Sequence, residues 1–186
     1  MTHPSPSTKF TYEDYLLFPD DGKRHELIDG DHYITPAPST KHQRVSGNLF
    51  AMIWQFLKEH PIGRVFDALC DVVLSDLDVV EPDLLFISAA RASMITEKNI
   101  QGAPDLVIEI LSESTRKTDE VIKRKLYERY GVREYWIVDP ELETVKVYRM
   151  TDAGYRRIAE LSREANDSLN TPLLPKLSVS LNELFQ

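Results

Sequence analysis

The chain has 186 residues, 42% of them hydrophobic and 28% charged, with a formal net charge of −8. That is one domain's worth of chain with an ordinary globular composition, long enough to bury a core without cross-links. A single cysteine, Cys70, excludes an internal disulfide, and the acidic balance argues mildly against a dedicated nucleic-acid binder.

Residues 1–10 are rich in Pro, Ser and Thr and read as a flexible arm ahead of one domain over 11–186. No secretory leader is expected there. No apolar run approaches the ~20 residues of a membrane span. With one unpaired cysteine, a reducing cytoplasm is the expected setting.

A short helix is predicted over Thr11–Phe18, ended by Pro19-Asp20-Asp21-Gly22. Two strand-like runs then flank Asp29-Gly30-Asp31 and predict a hairpin. The clearest helix runs from about Lys41 to Glu59, where Val45, Leu49, Met52, Ile53 and Phe56 recur at helical spacing. Ser39 or Thr40 suits its cap. Arg64 to Leu74 alternates like one strand, and Phe66, Ala68, Cys70 and Val72 would share a face. Cys70 reads as a small core residue rather than a reactive thiol.

Asp83 opens a short apolar strand entered through Glu81-Pro82. Leu106-Val107-Ile108-Glu109-Ile110-Leu111 is apolar on both faces, which marks a central strand. A second helix over Asp119–Tyr130 and a strand at Glu134–Val138 follow, so the two strands around that helix should run parallel. Thr144–Tyr148 pairs back across Asp139-Pro140, and Gly154–Leu161 adds an edge. The expected fold is α/β, a mixed sheet flanked by helices with an N-terminal hairpin.

The chemistry should centre on Glu109. It interrupts an apolar run, so its carboxylate is desolvated and needs a cation, either a metal ion or a lysine. Asp83 on a neighbouring strand adds a second carboxylate, and two such groups repel unless a cation lies between them. Oxygen donors suit Mg²⁺ or Mn²⁺ better than zinc, and the five histidines lack paired zinc spacing. Lys123 lies on the second helix with Asp119, Leu126 and Tyr127 on one side, within reach of Glu109, whereas Lys125 points to solvent. Charge is uneven too. Every charge from Phe66 to Ser88 is negative, while Ser112 to Arg133 carries seven basic residues against four acidic ones. Trp136 and Tyr135 are either core residues or a stacking surface for bases, with the core the expected place.

Five segments in order resemble the Uma-type restriction endonuclease family, a branch of the PD-(D/E)xK nucleases. They are His25–Gly30, Glu81–Phe86, Pro104–Ser112, Lys123–Val132 and Glu134–Pro140. The resemblance implies that Asp83 and Glu109 are the motif acids. The parent superfamily places its lysine two residues after the second acid, where this chain has Leu111, and this branch supplies it from the next helix, which fits Lys123. Glu26 matches the first acid of the pattern, and His42 a histidine position with a phosphate-contact or helix-start role. The implied reaction is phosphodiester hydrolysis in nucleic acid, DNA in the first place. Mg²⁺ or Mn²⁺ would be held by Asp83, Glu109, the Ile110 carbonyl and Glu26. Cutting both strands of a duplex favours a homodimer. The alternative is a nuclease fold kept as a catalytically silent interaction module. A hydrolase of some other phosphate ester ranks last, because no Gly-rich phosphate cradle is present.

Overall fold

The computed structural model describes residues 8–186. The first seven residues of the expected arm lie outside the described residues. Its end is tied down: the Phe10 N–H donates to the Gly30 carbonyl at 2.9 Å. Helix α1 is a single turn, Tyr12–Tyr15, shorter than expected, with Thr11 and Asp14 capping each other. Strands β1 (Arg24–Ile28) and β2 (Asp31–Thr35) form the hairpin. Its turn residues Asp29 and Gly30 have φ of 52° and 73°, the pair of left-handed values a two-residue turn needs to match strand twist.

Helix α2 spans Thr40–Glu59, and the Ser39 side chain accepts the His42 N–H at its start. It buries Val45, Leu49, Ile53 and Leu57 on one stripe. The single strand expected over 64–74 is two strands in two sheets: β3 (Gly63–Asp67) and β4 (Val72–Ser75). Residues 68–71 carry the chain across. The Ala68 N–H donates to the Asp83 carbonyl, and the Tyr15 hydroxyl donates to the Asp71 carboxylate at 2.8 Å. Cys70 is therefore not in an alternating face. It is half-buried against the second core cluster, and burial with Asp71, Asp67 and Glu81 nearby pushes its thiol up to about 11, away from thiolate chemistry.

Then come β5 (Asp78–Val80), β6 (Leu84–Ser88), a 3₁₀ stretch at Ala89–Met94, β7 (Ile100–Gln101) and β8 (Leu106–Ile110). A π-helical turn, Thr118–Lys123, runs straight into α3 (Arg124–Arg129). The chain ends with β9 (Glu134–Asp139), β10 (Thr144–Thr151), β11 (Gly154–Ser162), the small pair β12 (Ser168–Leu169) and β13 (Val179–Ser180), and α4 (Leu181–Leu184).

The main sheet has six strands in the order β11-β10-β9-β8-β6-β3. All its pairs are antiparallel except β8 with β9, which run parallel on either side of α3. A second sheet has the order β2-β1-β5-β4-β7. On one face of the main sheet, Leu84, Ile108 and Trp136 pack against the α2 stripe and the C-terminal residues Leu181 and Leu184. On the other face, Leu85, Val107, Leu111 and Ile137 pack against Leu126 and Tyr127 of α3 and against Ile28, Val80 and Ile100 of the second sheet. Glu109 lies on this second face with Val107 and Leu111, as strand alternation predicts. Trp136 and Tyr135 are fully buried, and the Trp136 indole N–H donates to Glu134, so both are core residues and not a base-stacking surface. Among the described residues no helix is long and apolar enough to cross a membrane.

Candidate active site

Asp83 is one step beyond the last paired position of β6, Leu84 with Ile108, and so faces Glu109 of β8. The π-helical turn and α3 bring Asp119, Lys123 and Tyr127 over the same spot, and β1 brings Arg24 and Glu26. Glu26, Asp83, Glu109, Asp119 and Lys123 are each 4% exposed or less.

Lys123 is the hub. Its Nζ lies 2.7 Å from Glu26 Oε1, 3.0 Å from Glu109 Oε1 and 3.8 Å from Asp119 Oδ1. Burial alone would discharge the ammonium. These three carboxylates outweigh burial and hold it well above the usual lysine range. The Tyr127 hydroxyl donates to the same Glu109 oxygen at 2.7 Å. Glu109 Oε2 makes no hydrogen bond among the described residues. Glu26 Oε1 also accepts the Glu81 N–H at 2.8 Å, which fixes it beside the lysine.

Asp83 is held by three donors. Arg24 Nη1 reaches Oδ1 at 2.6 Å, while the Ile110 N–H and His42 Nε2 reach Oδ2 at 2.7 and 3.1 Å. Burial pushes this carboxyl up, but His42, Arg24 and the Ile110 N–H together hold it below the ordinary carboxylate range. Glu109 shifts the other way. Burial, aided by Asp119, Asp83 and Glu26, pushes it up against the pull of Lys123. Burial likewise pushes Asp119 up to about 6. His42 Nδ1 is buried without a hydrogen-bond partner among the described residues.

Asp83, Glu109, Ile110, Asp119, Lys123 and His42 line one cleft of about 60 Å³, roofed by residues 35–39 and by Ser112, Ser114 and Thr115. Glu26 lines instead a neighbouring pocket, which shares Thr35, Pro36, Ser114, Thr115, Asp119 and Lys123 with the cleft. A wider groove of about 430 Å³ adjoins the cleft and shares Arg24, His42 and residues 35–38 with it.

The structure thus brings Asp83, Glu109, Ile110, Lys123 and His42 to one cleft, and sets Glu26 against Lys123 in the adjoining pocket. Sequence reasoning gave no role to Arg24 or Tyr127. Both signals were present: Arg24 precedes Glu26 by two residues on one strand, and Tyr127 follows Lys123 by one helical turn.

A family model described as "Putative restriction endonuclease", Uma2, matches residues 12–182. The chain belongs to this family. The match spans the hairpin, Asp83, Glu109 and Lys123. A solved structure of a "putative nuclease belonging to DUF820" from Anabaena variabilis superimposes with a TM-score of 0.79 at 25% identity, covering 95% of this chain and 97% of that one. The restriction-endonuclease-like fold expected from the sequence is therefore the observed one. No curated protein matches the chain.

Four buried carboxylates face two permanent cations, Lys123 and Arg24. That excess of negative charge, made of oxygen donors only, suits a hard divalent ion. No group of three or more His, Cys, Asp or Glu side chains is set as a ready metal cage among the described residues. The fit therefore rests on two facing carboxylates, Asp83 and Glu109, with the main chain at Ile110.

Proposed function

We propose that this chain is a metal-dependent endonuclease that hydrolyses phosphodiester bonds in nucleic acid, with DNA as substrate and Mg²⁺ or Mn²⁺ as the ion. The observation that carries the reading is Lys123, delivered from a helix onto Glu109 beside Asp83 in one cleft. The family's description and the relative's description as a nuclease support the same chemistry.

Asp83, Glu109 and the Ile110 carbonyl would hold the ion. When bound, such an ion supplies charge neutralisation at the phosphate and a more acidic water. Glu26 serves the site through Lys123: it fixes the ammonium in place and leaves the ligand positions to the cleft-facing acids. Lys123 stays cationic, so it orients the attacking water and offsets charge on the phosphate rather than acting as a base. Tyr127 restrains the Glu109 side chain. His42 orients Asp83 from the start of α2. A two-fold pair of such sites would cut both strands of a duplex.

The test is a supercoiled plasmid and a labelled oligonucleotide incubated with Mg²⁺ or Mn²⁺. Glu109→Gln and Asp83→Asn should each lower cleavage by roughly a hundredfold or more, the scale of losing a transition-state electrostatic partner. Cleavage unchanged in both variants sinks the reading. One observation favours a silent interaction module instead: both Asp83 oxygens are already taken by Arg24, His42 and the Ile110 N–H. Folded protein that takes up no Mn²⁺ at millimolar concentration in calorimetry would decide for the module.

A further inference from the structure

Asp83 has three partners, and they differ in kind. The Ile110 N–H belongs to β8, and His42 sits in the first turn of the twenty-residue helix α2. The Ile110 N–H is fixed by its strand, and the short His42 side chain is buried on its helix. Arg24 alone reaches Asp83 on a long side chain, with its guanidinium on Oδ1 at 2.6 Å. It is also placed at a junction. Arg24 lines both the small cleft with the acids and the wider groove beside it. Lys123 has no such freedom, since three carboxylates surround it within 3.8 Å.

We propose that Arg24 is an exchangeable counter-ion: it holds Asp83 in the metal-free protein, and turns to a phosphate of the nucleic acid lying in the groove once a divalent ion takes its place at Asp83 Oδ1. The inference rests on the nuclease reading above. Two cations then compete for one carboxylate oxygen, and their mutual repulsion loosens the guanidinium when the ion loads. A released guanidinium at the cleft mouth would face a polyanion, and its planar fork matches two phosphate oxygens as no lysine does. The exchange also accounts for a site that presents a saturated Asp83 although four carboxylates gather there. Arg24 serves as a plug before the substrate arrives and as a clamp afterwards.

The experiment compares the full-length protein with Arg24→Met and Arg24→Lys in two binding assays, neither of which reads cleavage. Mn²⁺ alone is titrated calorimetrically. A fluorescein-labelled duplex oligonucleotide is titrated by anisotropy, with Ca²⁺ as the probe ion. Arg24→Met should bind Mn²⁺ several-fold more tightly, because the competitor is gone, and the oligonucleotide about tenfold more weakly, because a charge-assisted contact is lost. Arg24→Lys keeps a competing charge, so its Mn²⁺ affinity stays near wild type while the oligonucleotide still binds more weakly. A residue that only braces the fold would give no tightening of Mn²⁺ binding. Unchanged or weaker Mn²⁺ binding in Arg24→Met, or unchanged oligonucleotide binding, overturns the exchange. If Arg24→Met does not fold, Arg24→Lys decides alone, and wild-type oligonucleotide affinity there overturns the clamp. Wild-type protein that binds neither probe overturns the nuclease reading and this inference with it. Wild-type binding with unaltered variants overturns only the role of Arg24.

Discussion

Lys123 answers three buried carboxylates at once, Glu26, Glu109 and Asp119. Removing one partner from such a cluster leaves charge without compensation, which costs about 3–5 kcal/mol. Lys123→Met should therefore lower stability in urea unfolding by that order and abolish cleavage as well, whereas Tyr127→Phe, which removes one hydroxyl, should cost about 1 kcal/mol. Asp105 offers a separate test by pH. It is fully buried, accepts the Ser88 N–H at 2.8 Å and lies near Arg133 and Arg91 at 3.1 and 3.3 Å. Burial pushes its carboxyl up, but these partners hold it below its ordinary value of 3.8. A lowered folded value means stability that is present above pH 3.8 and lost as pH falls through the folded value. Acid titration of unfolding should show this, and Asp105→Asn should give a flatter acid limb with a lower plateau at neutral pH. At this scale the sequence was readable where chemistry contradicted pattern. A glutamate in an apolar strand announces itself, and Glu109 led to Asp83 and Lys123. Arg24 did not stand out, because an arginine at a strand's start is ordinary until its partner is known.

Gly63 opens β3 where it pairs with Ser88 of β6. A Cβ there would meet the Ile87 carbonyl oxygen and the Phe86 ring. Neither can retreat, since both belong to β6, buried between the two core clusters. Gly63→Ala should therefore cost about 1–3 kcal/mol in thermal or urea unfolding, the range for overpacking. Gly47, which has open space around its Cβ position, is the control: Gly47→Ala in α2 should be neutral or stabilising. Element length explains which parts of the fold could be read in advance. The hairpin at Asp29-Gly30, the twenty-residue α2 and the β8–α3–β9 crossover each carry a strong local signal. The break at 68–71 carries none, because apolar residues keep alternating through it. Strands β5 and β7 have three and two residues, too few for any periodicity. The π-helical turn at Thr118–Lys123 is likewise silent in sequence, since it differs from an α-helix only by one extra residue in the loop of each hydrogen bond.

Across the whole molecule, metal binding and folding should be linked. An ion that binds the folded chain through Asp83 and Glu109 stabilises it by mass action, about 2.7 kcal/mol at a hundredfold excess over Kd. Mn²⁺ should thus raise Tm in the wild type and leave it unmoved in Asp83→Asn and Glu109→Gln. A rise of equal size in all three proteins would place the ion elsewhere. The overall fold class was legible because alternating strand and helix signals admit few arrangements. Of the second sheet only the hairpin was, because its other strands are two to four residues long and β1 meets β5 some fifty residues later in the chain, a pairing no local pattern encodes. The same long-range assembly governs the cluster around Lys123, which draws on β1, α2, the entry to β6, β8, the π-helical turn and α3. During synthesis Arg24 and Glu26 emerge first, but the cation that completes the set comes about a hundred residues later. The nascent chain therefore carries acids without their lysine until α3 has left the ribosome and docked. On the nuclease reading proposed above, the site is incomplete, and cleavage therefore absent, for as long as the chain is unfinished.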